Sequence, residues 1–365
     1  MKKLTHLLLC GCAISLISCG GGNSSGSTNN GSDEQSYQVF AESINQQIQQ
    51  IQVANPDISS TSVLLSSDYT LQKSLSSDIG YDYFIIAESN NEYIVYWQNK
   101  ITQQLESINL TQTFNTQYPE LKVLNSIGKS NIIATKAGLL FVAAPIKYDP
   151  NNIVSKIFLF NPSSPHYIDT TISKDNYIYD LIINNNQLVA MNGGFYEHIN
   201  CPSCAYISSY HNGTWTDLVN QGEFNQYDFY SLSSIDNNIT IAGIEEPSSE
   251  AVLSYVNGTW KNQSYLIPND HGVITSIEQA TNKTIYVADL DNSNKKPCQN
   301  SYYGTGSISM YQNGKLSTLN IPLLESVGVN FITITTNSSG GAFANINYSA
   351  TCGSEAESNA FIALN

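Results

Sequence analysis

The sequence predicts an all-β chain folded as a β-propeller, and two recurring features predict it. A tyrosine-bearing hairpin returns every blade-length, and a step from one large apolar residue to alanine ends the second strand of six successive units. The hairpin is Ser209-Tyr210-His211-Asn212-Gly213-Thr214-Trp215. It recurs as Ser254-Tyr255-Val256-Asn257-Gly258-Thr259-Trp260, and again as Met310-Tyr311-Gln312-Asn313-Gly314-Lys315-Leu316. Asn-Gly between two strand-prone runs predicts a two-residue type I′ turn, because both central residues need φ > 0. Gly213 and Gly258 stand 45 residues apart and Gly258 and Gly314 stand 56 apart, which is propeller spacing with insertions. Val95-Tyr96-Trp97-Gln98-Asn99-Lys100-Ile101 is a weaker copy.

The dipeptides are Ile86-Ala87, Val142-Ala143, Val189-Ala190, Ile241-Ala242, Val287-Ala288 and Phe343-Ala344. A small residue at a fixed place in an inner strand suits the crowded centre where blades converge. Six steps predict six blades, or seven if Asp68 to Ser76 forms a degenerate extra unit. The last unit stops at Phe361-Ile362-Ala363-Leu364, one strand short, and Thr61 to Leu65 precedes the first unit without a partner. The expectation is that this leading strand pairs with the final blade, which removes two exposed edges.

Ahead of the repeats lie three short segments. Lys2 and Lys3 followed by the apolar run Leu4 to Ile17 read as a secretory signal over 1–18, too short to be a spanning helix. Residues 19–36 are rich in glycine, serine and asparagine and read as a flexible tether. Phe40, Ile44, Ile48 and Ile51 then mark one apolar face of a short helix over 37–55, stopped before Pro56. That face either packs on the side of the propeller or docks a partner, and packing is the simpler reading. The propeller domain is expected over 56–365.

Leu16-Ile17-Ser18-Cys19 resembles the lipobox of bacterial lipoproteins. The resemblance implies cleavage before Cys19, lipidation of its thiol and amine with chains such as palmitate, and stable membrane attachment through those chains. Gly20 follows where inner-membrane retention would call for aspartate, so the resemblance implies the outer membrane of a Gram-negative envelope, on either its periplasmic or its outer face. The run Leu188 to Gly194, followed by Tyr206, Tyr210 and Trp215, resembles a kelch blade: a hydrophobic run, a double glycine, a tyrosine, a tryptophan. The other blades lack the double glycine at that place.

Composition excludes several functions. All 15 basic residues are lysine, against 30 acidic ones, for a net charge of −15. Without arginine there is no bidentate clamp for phosphate or carboxylate, and the acidic balance repels nucleic acid. No nucleophile elbow, phosphate-binding loop or dinucleotide fingerprint occurs.

Candidate site residues fall in loops. Cys201, Cys204, Cys298 and Cys352 remain after lipidation, an even count that suits disulfides in an exported chain. Equivalent loops favour Cys298 with Cys352, leaving Cys201 and Cys204 as a local clip; a redox dithiol and a four-cysteine zinc site are the alternatives. The loops after the second strands carry Glu88, Asp149, Glu197 with His198, Glu245 with Glu246, and Asp289 with Asp291. In a propeller these loops open on one face, so an acidic rim around the channel is expected, either as a cation or ligand site or as solvated surface. Asp289-Leu290-Asp291-Asn292-Ser293 starts like a calcium loop but lacks its glycine and closing glutamate. The expected function is a lipid-anchored binding or scaffold module for a protein or glycan partner, without a cofactor. The alternative is a metal-dependent hydrolase or lyase working at the channel mouth.

Overall fold

A computed structural model of the chain describes residues 30–69, 80–124, 131–146, 154–163, 166–193, 206–219, 227–245, 249–268, 272–291, 304–349 and 357–364. Six small antiparallel sheets form a six-bladed propeller. Blade 1 comprises β1 (Ser60–Leu65), β2 (Tyr83–Ser89), β3 (Glu92–Gln98) and β4 (Leu105–Asn109). Blade 2 comprises β5 (Leu121–Val123), β6 (Ile132–Thr135), β7 (Gly138–Pro145), β8 (Val154–Asn161) and β9 (His166–Asp175). Blade 3 has β10 (Tyr177–Asn184), β11 (Gln187–Gly193), β12 (Tyr206–His211) and β13 (Thr214–Asp217). Blade 4 has β14 (Tyr227–Ile235), β15 (Asn238–Glu245), β16 (Ser249–Val256) and β17 (Thr259–Asn262). Blade 5 has β18 (Val273–Gln279), β19 (Ile285–Asp291), β20 (Thr305–Gln312) and β21 (Lys315–Thr318). Blade 6 has only β22 (Gly328–Thr336), β23 (Ala342–Ser349) and β24 (Glu357–Ala363). The innermost strands contact one another in the cycle β1, β6, β10, β14, β18, β22 and back to β1.

The three full hairpin copies fold as their sequence requires. Asn212, Asn257 and Asn313 have φ of 48°, 53° and 53°, and the glycines after them 87°, 84° and 79°, so each forms a type I′ turn. The tryptophans then reach to the preceding blade. Trp215 Nε1 donates to Ser173 O on β9 at 2.8 Å, and Trp260 Nε1 donates to Leu218 O just past β13 at 3.1 Å. Leu316 has no N–H to offer, and there Tyr311 packs on Tyr265 with ring centroids 5.0 Å apart. The weak copy departs from the two-residue turn. β3 and β4 are joined by residues 99–104, where the Asn99 side chain accepts from the N–H groups of Ile101 and Thr102.

All six apolar–alanine steps lie in second strands and all are buried. They do not sit at one register. Ala242 and Ala288 oppose Ser231 and Ser276, whereas Ala190 opposes Leu181 and Ala344 opposes Ile334. The alanine therefore serves blade-to-blade packing more than crowding at the axis. In blade 3, Val189 faces the seam with blade 4 and Ala190 the seam with blade 2.

The ring does not close as the sequence suggested. The segment before the first unit is β1, and it pairs with β2 of its own blade from Ser60↔Glu88 to Leu65↔Tyr83. Its free edge is held by asparagine side chains of blade 6. Asn345 Oδ1 accepts from Val63 N at 2.8 Å and Asn345 Nδ2 donates to Val63 O at 3.1 Å. The Asn359 amide lies 3.2 Å from both Thr61 N and Thr61 O, and the amide orientation that turns its oxygen to the first and its nitrogen to the second satisfies each. A carboxamide sets an N–H donor group beside a carbonyl acceptor, so it can stand in for one residue of a strand.

Blade 6 lacks a fourth strand, and helix α1 (Asn30–Ala54) lies against it instead. Its start at Asn30 falls inside the stretch expected to be tether. Ala41, Ile44, Ile48 and Ile51 are buried against Phe343, Phe361 and Ala363 of blade 6 and Tyr83, Ile85 and Ala87 of blade 1, so the apolar face packs on the propeller. Each buried isoleucine contributes roughly 1.5–3 kcal/mol. Two other seams are filled by similar means. Helix α2 (Leu110–Gln117), capped by the Asn109 side chain on Gln112 N, inserts Leu110 and Phe114 between blades 1 and 2. Helix α3 (Pro322–Ser326) places Leu324 between blades 5 and 6. No described helix is long and apolar enough to cross a membrane.

Candidate functional site: the rim and the axial cavity

The antiparallel register places the ends of second strands beside the starts of first strands. Glu88 opposes Ser60, Glu245 opposes Tyr227, and Leu290 opposes Val273. Glu88, Glu245 and Asp291 consequently stand on one face, on blades 1, 4 and 5, each partly exposed. Glu88 Oε2 accepts from Ser60 Oγ at 3.4 Å.

Asp289 is a strand residue of β19, 2 % exposed, and Ser307 Oγ donates to its Oδ1 at 2.5 Å. Burial raises its pKa to about 6; the Ser307 hydrogen bond opposes that rise and the Asp291 charge adds to it. Asp149, Glu197, His198 and Glu246 lie outside the described residues, as do Cys19, Cys201, Cys204, Cys298 and Cys352. Among the described residues no three His, Cys, Asp or Glu side chains converge as a metal site would require.

Behind this face runs a cavity of about 1070 Å³ on the propeller axis, lined by the innermost strands of all six blades. Its shape follows from a repeated irregularity. The first strands of blades 3 to 6 each carry a β-bulge near the rim end, at Ile178/Asp180, Phe229/Ser231, Ile274/Ser276 and Val329/Phe331. In blade 2 the same place opens into the break between β5 and β6, both of which pair with β7. A bulge re-aims the residue after it. Here it aims three of those residues at the next blade. Asp180 Oδ2 accepts from Leu232 N at 3.2 Å, Ser231 Oγ from Ile277 N at 3.2 Å, and Ser276 Oγ from Ile334 N at 2.9 Å. Ser155 on β8 does likewise for Ile178 N at 3.1 Å.

Two carboxyls in the cavity wall went unnoticed in the sequence. Asp180, 4 % exposed, also accepts from Leu181 N at 2.9 Å, so both of its oxygens bind main-chain N–H groups. Glu278 on β18 is pushed up to about 8, first by desolvation, then by the negative charge of Asp180, with the Ser233 hydroxyl pulling the other way. It is therefore largely protonated at neutral pH and can donate a hydrogen bond. The available signal was a lone acid inside each of two apolar strands, Tyr177-Ile178-Tyr179-Asp180-Leu181 and Val273-Ile274-Thr275-Ser276-Ile277-Glu278.

No family model matches the chain, and no curated protein matches it. Solved structures similar to it include an acylaminoacyl peptidase from Pyrococcus horikoshii, at 11% identity and TM-score 0.45, covering 72% of this chain and 40% of that one. An oligogalacturonate lyase from Vibrio parahaemolyticus is similar at 6% identity and TM-score 0.45, covering 77% and 75%. A GH74 xyloglucanase from Xanthomonas campestris is similar at 8% identity and TM-score 0.44, covering 76% and 45%. The chain thus spans less than half the length of the peptidase and the xyloglucanase. At these identities no chemistry transfers to this chain.

Proposed function

We propose that the protein is a binding module of the bacterial envelope, held at the outer membrane through a lipidated Cys19, whose acidic rim receives a protein or glycan partner. The observation that supports this reading is the distribution of Glu88, Glu245 and Asp291. They share one face yet sit on three different blades, which suits multi-point contact with a broad partner better than chemistry at one bond. Contact surfaces of this kind draw specificity and encounter rate from charge.

The test is site-specific photo-crosslinking in intact cells. A photoreactive residue in place of Ser60 or of Tyr227 should yield the same adduct, and one at Thr216 on the outer strand should not. Glu88→Gln, Glu245→Gln and Asp291→Asn combined should remove the adduct, and Cys19→Ser should move the protein out of the membrane fraction. Equal labelling from Ser60, Tyr227 and Thr216 would sink the rim reading.

The enzymatic alternative draws on two carboxyls in one cavity wall, Asp180 and Glu278, the charge of the first helping to raise the pKa of the second. Both Asp180 oxygens are occupied by the Leu181 and Leu232 N–H groups. Asp180 is thereby an inter-blade staple, a poor general base, and binding is favoured.

A further inference from the structure

The cavity behind the rim has a chemistry of its own, and three observations define what it would hold.

Main-chain pairing in it is largely taken. Ile178, Leu232, Ile277 and Ile334 have already given their N–H groups to the side chains of neighbouring strands, and Val63 has both its N–H and C=O held by Asn345. A peptide adding as a strand needs free edge groups in alternation, and these positions deny them. What the wall presents in their place is side chains, many of them hydroxyls and carboxamides such as Ser62, Thr275, Thr333, Asn330 and Asn347.

The wall also carries charge of one sign only. Asp57, Glu88, Asp180 and Glu278 are its carboxyl groups, and among the described residues no lysine lines it. Anionic ligands are repelled at the mouth. A cation finds weak reward deeper in, where Asp180 is saturated by N–H donors and Glu278 is largely neutral.

Aromatic rings are set among the polar groups. Tyr93, Tyr230 and Phe331 line the cavity, the last two at bulges in β14 and β22. A pyranose offers an apolar C–H face and an equator of hydroxyls, and it is matched by a wall that alternates rings with hydrogen-bonding side chains. At about 1070 Å³ the space exceeds the roughly 300–1,000 Å³ usual for small-molecule sites, enough for several sugar rings.

We propose that the axial cavity binds a neutral oligosaccharide, stacked on Tyr230 and Phe331 and hydrogen-bonded by the hydroxyl, carboxamide and Glu278 carboxyl groups of the wall. The proposal rests on the reading of the protein as a binding module and concerns the cavity behind the rim, which shares Glu88 with it but neither Glu245 nor Asp291.

Isothermal titration calorimetry on the purified full-length protein tests it. The probes are cellohexaose, maltohexaose and chitohexaose as neutral chains, hexagalacturonate as an anionic one, and a Ser-Gly dodecapeptide. At least one neutral hexasaccharide should bind saturably. Tyr230→Ala should weaken that binding at least tenfold and Tyr230→Phe should preserve it. Thr333→Trp, or Ser62→Trp from the neighbouring blade should Thr333→Trp fail to fold, should abolish it by filling the lumen. Glu245→Gln combined with Asp291→Asn, neither of which lines the cavity, should weaken the crosslink and bind the sugar unchanged, so loss of the crosslinked partner and loss of sugar binding are read separately. Silence from all three neutral chains overturns the proposal, as does binding that survives a filled lumen, or binding only of the anionic chain or the peptide.

Discussion

Asn45 on α1 and Phe361 on β24 are joined twice. Asn45 Nδ2 donates to Phe361 O at 2.7 Å, and Asn45 Oδ1 accepts from Phe361 N at 3.0 Å. The side chain thereby supplies one residue's worth of the strand that blade 6 lacks, at an edge that would otherwise be open to another chain. Asn45→Ala should lower stability by about 1–3 kcal/mol, read as a shift in the urea midpoint with unchanged slope. Asn45→Asp should recover only part of this, because a carboxylate accepts from Phe361 N but repels Phe361 O. Equal stability of all three proteins would show that the helix, and not this amide, covers the edge.

The bulge-borne contacts between blades make a second prediction. Ser276→Ala leaves the buried Ile334 N–H without its acceptor, at a cost of about 1–3 kcal/mol. Ser317→Ala, on the exposed outer strand of the same blade, should stay within about 0.5 kcal/mol. Urea unfolding of the pair separates a hook from an ordinary serine.

The tryptophan latches are open to a milder test. Trp260→Phe keeps a ring beside Tyr255, now 5.2 Å away, but removes the donor to Leu218 O. The expected loss is about 0.5–1.5 kcal/mol. Leu316→Phe, where no such bond exists, should not produce it.

Two carboxyls, the buried Asp289 and the half-buried Glu278, set a pH dependence whose sign is fixed by their direction. Glu278 is raised from 4.5 to about 8 and Asp289 from 3.8 to about 6. The folded protein holds these protons more tightly than the unfolded chain, so their stabilising contribution is complete below the unfolded values. It is lost as pH rises, between about 4 and 6 for Asp289 and between about 4.5 and 8 for Glu278. Glu278→Gln should flatten the decline above pH 6, and Asp289→Asn the part below it. Denaturation midpoints from pH 4 to 9 would reveal the wrong sign at once, as stability that climbs with pH in the parent and not in the variants.

What the sequence made legible was local. Asn-Gly fixes a turn within two residues, so Gly213, Gly258 and Gly314 announced three blades without knowledge of any neighbour. The helix face of Ile44, Ile48 and Ile51 was equally readable, because its period is written in the chain. The closure was not, since Asn345 acts on Val63 across 282 positions and an asparagine in a strand carries no mark of such a role. Ser231 and Ser276 were silent for the same reason: a serine becomes a hook only once a bulge has turned it. Asp289 reads in the sequence as a loop acid, because nothing in Asp289-Leu290-Asp291-Asn292-Ser293 marks that the strand runs on to Asp291.

One consequence follows from β1 belonging wholly to the blade it begins. Every sheet is made from a single uninterrupted stretch of polypeptide, in order, with none sharing strands from both ends of the chain. The backbone could be severed at any linker between blades and rejoined elsewhere without splitting a sheet. Each blade can likewise emerge from the ribosome and fold before the next is made, leaving for last the fastening of blade 6 to blade 1 by asparagine amides and its docking on helix α1.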